Sequence, residues 1–201
     1  MAATDQRYRP ILLALSLGLW TSCAAPALAP PPVDVSCVAP SANSPSRPAE
    51  TELVRRIVEL TNIERRSAGL DPFVLQCDDV LQRVAVSHSR NMATTNTFGH
   101  RDSNGRRPLD RVLEVDPDFR GLVAENLAVF SASSSRGVPS GPRLLIGRDV
   151  NDLAREFVEN WMKSSGHRAN ILHPRLRLIG VGVVVKSNSV YVTQLFAGPS
   201  A

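Results

Sequence analysis

Residues 179–196 read IGVGVVVKSNSVYVTQLF. Two β-branched runs, Ile179 to Val185 and Val190 to Phe196, flank the turn residues Lys186 to Ser189. That pattern predicts a β-hairpin. Gly180 and Gly182 fall inside the first run, where missing side chains let another backbone come close. A lone hairpin is marginal in water, so a third strand and a covering helix are required. The run Leu122 to Phe130 supplies part of that sheet.

Upstream, the hydrophobic period changes to that of helices. Leu53, Val54, Ile57, Val58, Leu60 and Ile63 recur at helical spacing over residues 50–66, with Gly69 as the C-cap. A second helix runs from a cap at Asp78 or Asp79 to about Thr95, placing His88 on its apolar stripe as a hydrogen-bonded core histidine. Pro108 opens a short third helix. Residues 133–147 are expected as a surface loop, and Asp149 to Lys163 as a further helix ended by Gly166. Trp161 reads as core, Asn62 and Arg65 as a cap-and-salt-bridge surface or a brace for the hairpin, and Asn126 and Asn170 as turn residues. The fold class is α+β, with helices packed about a small antiparallel sheet.

The 201 residues suit one domain with extensions. Residues 1–27 read as a signal peptide, with Arg7 and Arg9 before a short apolar run and Ala25-Pro26-Ala27 as the cleavage site. Cys23, after Thr21 and Ser22, has the shape of a bacterial lipoprotein site, which would anchor the exported chain to the envelope. Residues 28–49 are a proline-rich tether, and residues 50–198 the domain. Cys37 and Cys77, in an exported chain, are expected to form one disulfide. No apolar run is long enough for a transmembrane span in the mature chain. The formal charge is +4, with Arg scattered among acids rather than gathered with aromatics, which argues against nucleic acid as a partner.

Chemistry concentrates in three segments: Phe98-Gly99-His100, Ala124-Glu125-Asn126-Leu127-Ala128, and Trp161 to Leu172. A carboxylate at Glu125, amid apolar neighbours, is costly to bury without a partner. His100 and His167 are the available partners. The three side chains could hold a divalent cation (zinc, magnesium or calcium), leave positions open for water, or form a hydrogen-bonded cluster. Arg168 could pair with Glu125 or with an anionic ligand. There is no His-Glu-x-x-His, Gly-x-Ser-x-Gly or phosphate-loop motif.

The ordered set from Leu60-Thr61-Asn62-x-x-Arg65 through those three segments to Ile179-Gly180-Val181-Gly182 and Tyr191-x-Thr193-Gln194-Leu195-Phe196 resembles a bacterial member of the CAP superfamily. That superfamily unites the cysteine-rich secretory proteins, antigen 5 and the plant pathogenesis-related proteins. The resemblance spans about residues 50–198 and implies a three-layer α–β–α sandwich with a central cleft. It further implies a tetrad of two His and two acids able to hold a divalent ion, in which His100 and Glu125 match the first His and first Glu. The other two positions hold Ser164 and Tyr191, and His167 belongs to the bacterial-type motif.

Three functions follow as expectations. The cleft binds a lipid, glycan or peptide, as a secreted or envelope-associated module. Alternatively it is a metal-assisted hydrolase with Glu125 as general base and the imidazoles as ligands, or, without metal, with His100 as base to Ser164 or Ser165. In the third, Glu125 is a buried structural anion with no cleft chemistry.

Overall fold

The computed structural model describes residues 48–75, 80–132 and 144–199. The signal sequence, the lipoprotein site at Cys23, the tether up to residue 47 and both disulfide cysteines lie outside the described residues. In chain order the elements are α1 (Pro48–Ser67), β1 (Val74–Leu75), α2 (Val80–Thr95), α3 (Pro108–Val115), β2 (Gly121–Ser131), β3 (Leu144–Leu145), β4 (Arg148–Asp149), α4 (Val150–Lys163), α5 (Ser165–Ile171), β5 (Leu178–Lys186) and β6 (Ser189–Pro199).

The terminal hairpin forms as its sequence requires. β5 and β6 pair antiparallel from Leu178↔Ala197 to Lys186↔Ser189. β2 pairs antiparallel with the other side of β6, and the strand order is β1-β5-β6-β2. The sheet is mixed rather than purely antiparallel, because the two residues of β1 run parallel to β5.

Alternation along the strands separates two cores. Ile179, Val181, Val183, Val190, Val192 and Phe196 face α1, α4 and Ile171 of α5. Leu195 and Ala197 face Leu81, Val84 and Ala85 of α2 and Val112 of α3. The architecture is therefore α–β–α. The two β5 glycines set how closely α2 lies: a Cβ on Gly180 would collide with the Leu81 backbone carbonyl, and one on Gly182 with that of Ala85. No side chain fits in those gaps, so these two positions let a helix backbone rest on the sheet.

α1 begins at Pro48, whose fixed φ suits the first helical position, and closes at Gly69 with a φ of +73°. Leu53, Ile57, Thr61 and Arg65 form one buried row at four-residue spacing. The helix α4 starts where the Asp149 carboxylate accepts from the Asn151 N–H.

Two loop expectations are corrected. Within 133–147, residues 144 and 145 pair with 148 and 149 as a short hairpin, turned by consecutive positive φ angles at Ile146 and Gly147; residues 133–143 lie outside the described set. Gly166 does not end α4. The break falls at Ser164, which is extended (φ −88°, ψ 121°), and Gly166 lies inside α5.

Candidate functional site

Glu125 sits in the middle of β2, on the face turned to α2 and α3, and its side chain is 2% exposed. Three nitrogens from three segments converge on it. His100 donates from Nδ1 to Oε1 at 2.9 Å. The Arg111 guanidinium, on α3, pairs with Oε2. His88, on α2, brings Nε2 to 3.9 Å from Oε1. A carboxylate buried among apolar neighbours is thus compensated by one permanent cation and one direct imidazole bond.

The loop before α3 fixes His100. Asp102 accepts from the Asn104 and Arg106 backbone N–H groups at 2.9 Å each and from Arg106 Nε at 2.8 Å. Arg111 then ties this loop to the sheet, since its NH1 donates to the carbonyls of His100 and Arg106, both at 2.9 Å. One guanidinium therefore holds both the carboxylate and the backbone of the histidine bound to it.

His88 is a buried, hydrogen-bonded core histidine. Its Nε2 lies 3.0 Å from the Gly99 carbonyl, which can only accept, so the proton is on Nε2. Its Nδ1 is then a bare acceptor, buried without a partner among the described residues.

A second polar cluster occupies the opposite face of the sheet. Asn126 Nδ2 donates to Gln194 Oε1 and to the His167 carbonyl, both at 3.2 Å. Asn170 Nδ2 reaches Asn126 Oδ1 at 2.9 Å and the Glu125 carbonyl at 3.2 Å, while Gln194 Nε2 donates to Thr61 Oγ1 at 2.8 Å. Trp161 is core, its Nε1 donating to the Leu127 carbonyl at 3.0 Å. Asn170 and Trp161 thereby take up carbonyls of Glu125 and Leu127 on edge strand β2. These asparagines are internal braces in a strand and a helix, not turn residues: two amides spaced to meet across a sheet edge satisfy each other there.

The structure joins two of the three expected residues directly. His100 and Glu125 are hydrogen-bonded. His167 is pinned beside them through its backbone, and its ring is half-buried, but no bond among the described residues connects it to Glu125. Arg168 is exposed and does not pair with Glu125. Sequence reading missed Arg111 and the approach of His88; the available signal was that Arg111 immediately precedes the buried Val112 on a short amphipathic helix.

The histidines titrate apart. The hydrogen bond that His100 donates to Glu125 raises its pKa above the ordinary 6.5. Burial lowers those of His88 and His167, with the charge on Arg111 adding to the first and that on His100 to the second. A proton-coupled NMR titration is expected to show His100 titrating above 6.5 and the other two below it. The sign for stability follows. A raised His100 contributes stability that is complete below its unfolded pKa and lost as pH rises through the folded one. For His88 and His167 the unfolded chain takes up protons first, so their contribution falls away as pH drops below 6.5.

A divalent ion fits this centre poorly. Both Glu125 oxygens are occupied, one by a guanidinium, and among the described residues no three His, Cys, Asp or Glu side chains are grouped to hold one. Ser164 caps α4, and the Tyr191 hydroxyl donates to Asn96 Oδ1 at 3.3 Å.

The chain is thus an α–β–α sandwich in which a loop imidazole, His100, is bonded to a buried carboxylate, Glu125, on edge strand β2. Residues 58–196 match the family model described as CAP, cysteine-rich secretory protein family, and the chain belongs to that family. It is 34% identical over 144 residues to the uncharacterized protein YkwD of Bacillus subtilis, covering 72% of this chain and 46% of that one. Among solved structures it resembles an extracellular SCP-domain protein of Bacillus anthracis (26% identity, TM-score 0.55, 75% of this chain and 41% of that one). It shares its fold with an outer surface protein of Borrelia burgdorferi (20% identity, TM-score 0.57, 74% and 94%). The chain thus spans less than half the length of YkwD and of the Bacillus anthracis chain.

Proposed function

We propose that this chain is an exported CAP-domain binding module, secreted or held at the envelope by a lipidated Cys23. It takes a lipid, glycan or peptide ligand at the cleft edge formed by the 96–107 loop, β2 and α5. The extracellular and outer-surface descriptions of its structural relatives support that compartment.

One observation carries the reading. Of the groups converging on Glu125, only His100 opens to solvent, with its side chain 55% exposed, beside Phe98 at 54%. Glu125 and Arg111 are spent on each other, so they serve as scaffold, and the outward imidazole is the group left to meet a ligand. The structural reading of Glu125 is contained in this one: the anion holds the fold and the histidine faces out. No hydroxyl is bonded to His100 among the described residues, so no nucleophile is set up against it.

The test is capture of labelled lipids, envelope glycans and peptides by the full chain, compared with His100→Ala and His167→Ala. Loss of one charge-assisted hydrogen bond is expected to weaken capture about tenfold. Equal capture by the parent and both variants would remove the cleft as the binding site.

A further inference from the structure

We infer that Arg111 is this chain's resident cation at Glu125, standing where a divalent ion would otherwise balance that carboxylate, so that Glu125 takes no metal. The inference is independent of which ligand the cleft takes.

Each nitrogen that reaches Glu125 arrives as a donor. Arg111 cannot be deprotonated. His100 presents Nδ1 at 2.9 Å from Oε1, and the contact is a hydrogen bond only if that nitrogen carries the proton. His88 carries its proton on Nε2, which is given to the Gly99 carbonyl. Ligation by Glu125 itself needs the reverse, a carboxylate oxygen with room for the ion, and here Oε1 is taken by His100 and Oε2 by Arg111.

Arg111 is also fixed in place. Its side chain is 5% exposed, and NH1 is bonded to two carbonyls of the loop that carries His100. To make room for an ion, the guanidinium would have to leave the carboxylate while that loop lost its tie to the sheet. If it stayed, a dication would sit beside a buried positive charge. The remaining tetrad positions offer no compensation, being Ser164 and a Tyr191 whose hydroxyl is engaged with Asn96.

The guanidinium acts on His100 through Glu125. By holding Glu125 in place as an anion, it fixes the ring's orientation and its Nδ1–H tautomer, leaving Nε2 as the outward acceptor.

The full chain should be titrated with zinc, magnesium and calcium by calorimetry, and its melting followed with each ion and with chelator. We expect no ion binding that depends on Glu125, and melting temperatures agreeing within about 1 °C, less than the shift from even a weak stabilising ligand. A stoichiometric ion lost in Glu125→Gln would overturn the inference. Arg111→Met supplies the second arm. In the parent at alkaline pH, nitrogen-15 shifts of His100 should report protonated Nδ1; in the variant that preference should be lost, and a divalent ion should raise the variant's melting temperature but not the parent's. An unchanged His100 tautomer in Arg111→Met would equally overturn it. If that variant does not fold, the parent's ion titration decides alone, and its failure leaves the ligand-capture result untouched.

Discussion

Arg65→Met is expected to lower the unfolding free energy by about 4 kcal/mol or more, a large share of the roughly 5–15 kcal/mol typical of a domain. Arg65 is 0% exposed and makes no ion pair among the described residues. Its guanidinium is spent on backbone carbonyls: Nε donates to Asp71 at 2.7 Å, NH1 to Ile171 at 2.7 Å and His173 at 3.1 Å, and NH2 to Leu176 at 3.1 Å. Its flat face lies 3.9 Å from the centre of the Phe73 ring, which packs on Phe196 of the sheet. One side chain thereby joins α1, the end of α5 and the approach to β5. Methionine would fill much of the volume but take the arginine's bond from four carbonyls, of which His173 keeps the Leu176 N–H while those of Ile171 and Leu176 lose fully buried bonds, and each buried unsatisfied group costs about 1–3 kcal/mol.

Arg65→Lys should cost about half as much, because an ammonium keeps the charge but reaches from one point and cannot span the fork. Urea unfolding measures both. Hydrogen exchange adds a local readout: amides of α5 should open faster in Arg65→Met, since two of the lost bonds fasten its end. A loss below about 1 kcal/mol would mean those carbonyls find water instead, and that the brace is dispensable.

What could be read in advance was whatever is encoded locally. The hairpin announced itself through two β-branched runs about a turn, and the demand for glycine at 180 and 182 is met by the backbone of α2. His100 and Glu125 stood out because a charge within an apolar run must find a partner. The rest depends on partners far along the chain. Arg65 meets Leu176 across 111 residues, and an arginine in a helix reads as surface unless its row is followed: Leu53, Ile57, Thr61 and Arg65 share one buried face. The pairing of Arg111 with Glu125 spans 14 residues and joins a helix to a strand, which no periodicity records. β1 is too short to leave a pattern. α5 was hidden because Gly166 looks like a stop, whereas the chain breaks at Ser164 and resumes as a helix through that glycine.

Arg111→Met and Glu125→Leu are each expected to destabilise the chain by about 3–5 kcal/mol, and the double variant Arg111→Met, Glu125→Leu by distinctly less than the sum. Removing either partner alone strands the other: the side chains are 5% and 2% exposed, and neither charge has water to fall back on. Removing both exchanges a desolvated pair for apolar side chains beside Leu81, Val84 and Val112, an environment that accepts them. The double variant still leaves His100 without its acceptor, so it should not reach parental stability. Unfolding of the four proteins in urea at neutral pH closes the cycle, and a coupling of about 2–3 kcal/mol is expected. Additive losses would show that the two charges are solvated separately. That outcome would undo the argument that Glu125 is scaffold, and with it the reason for assigning recognition to His100 alone.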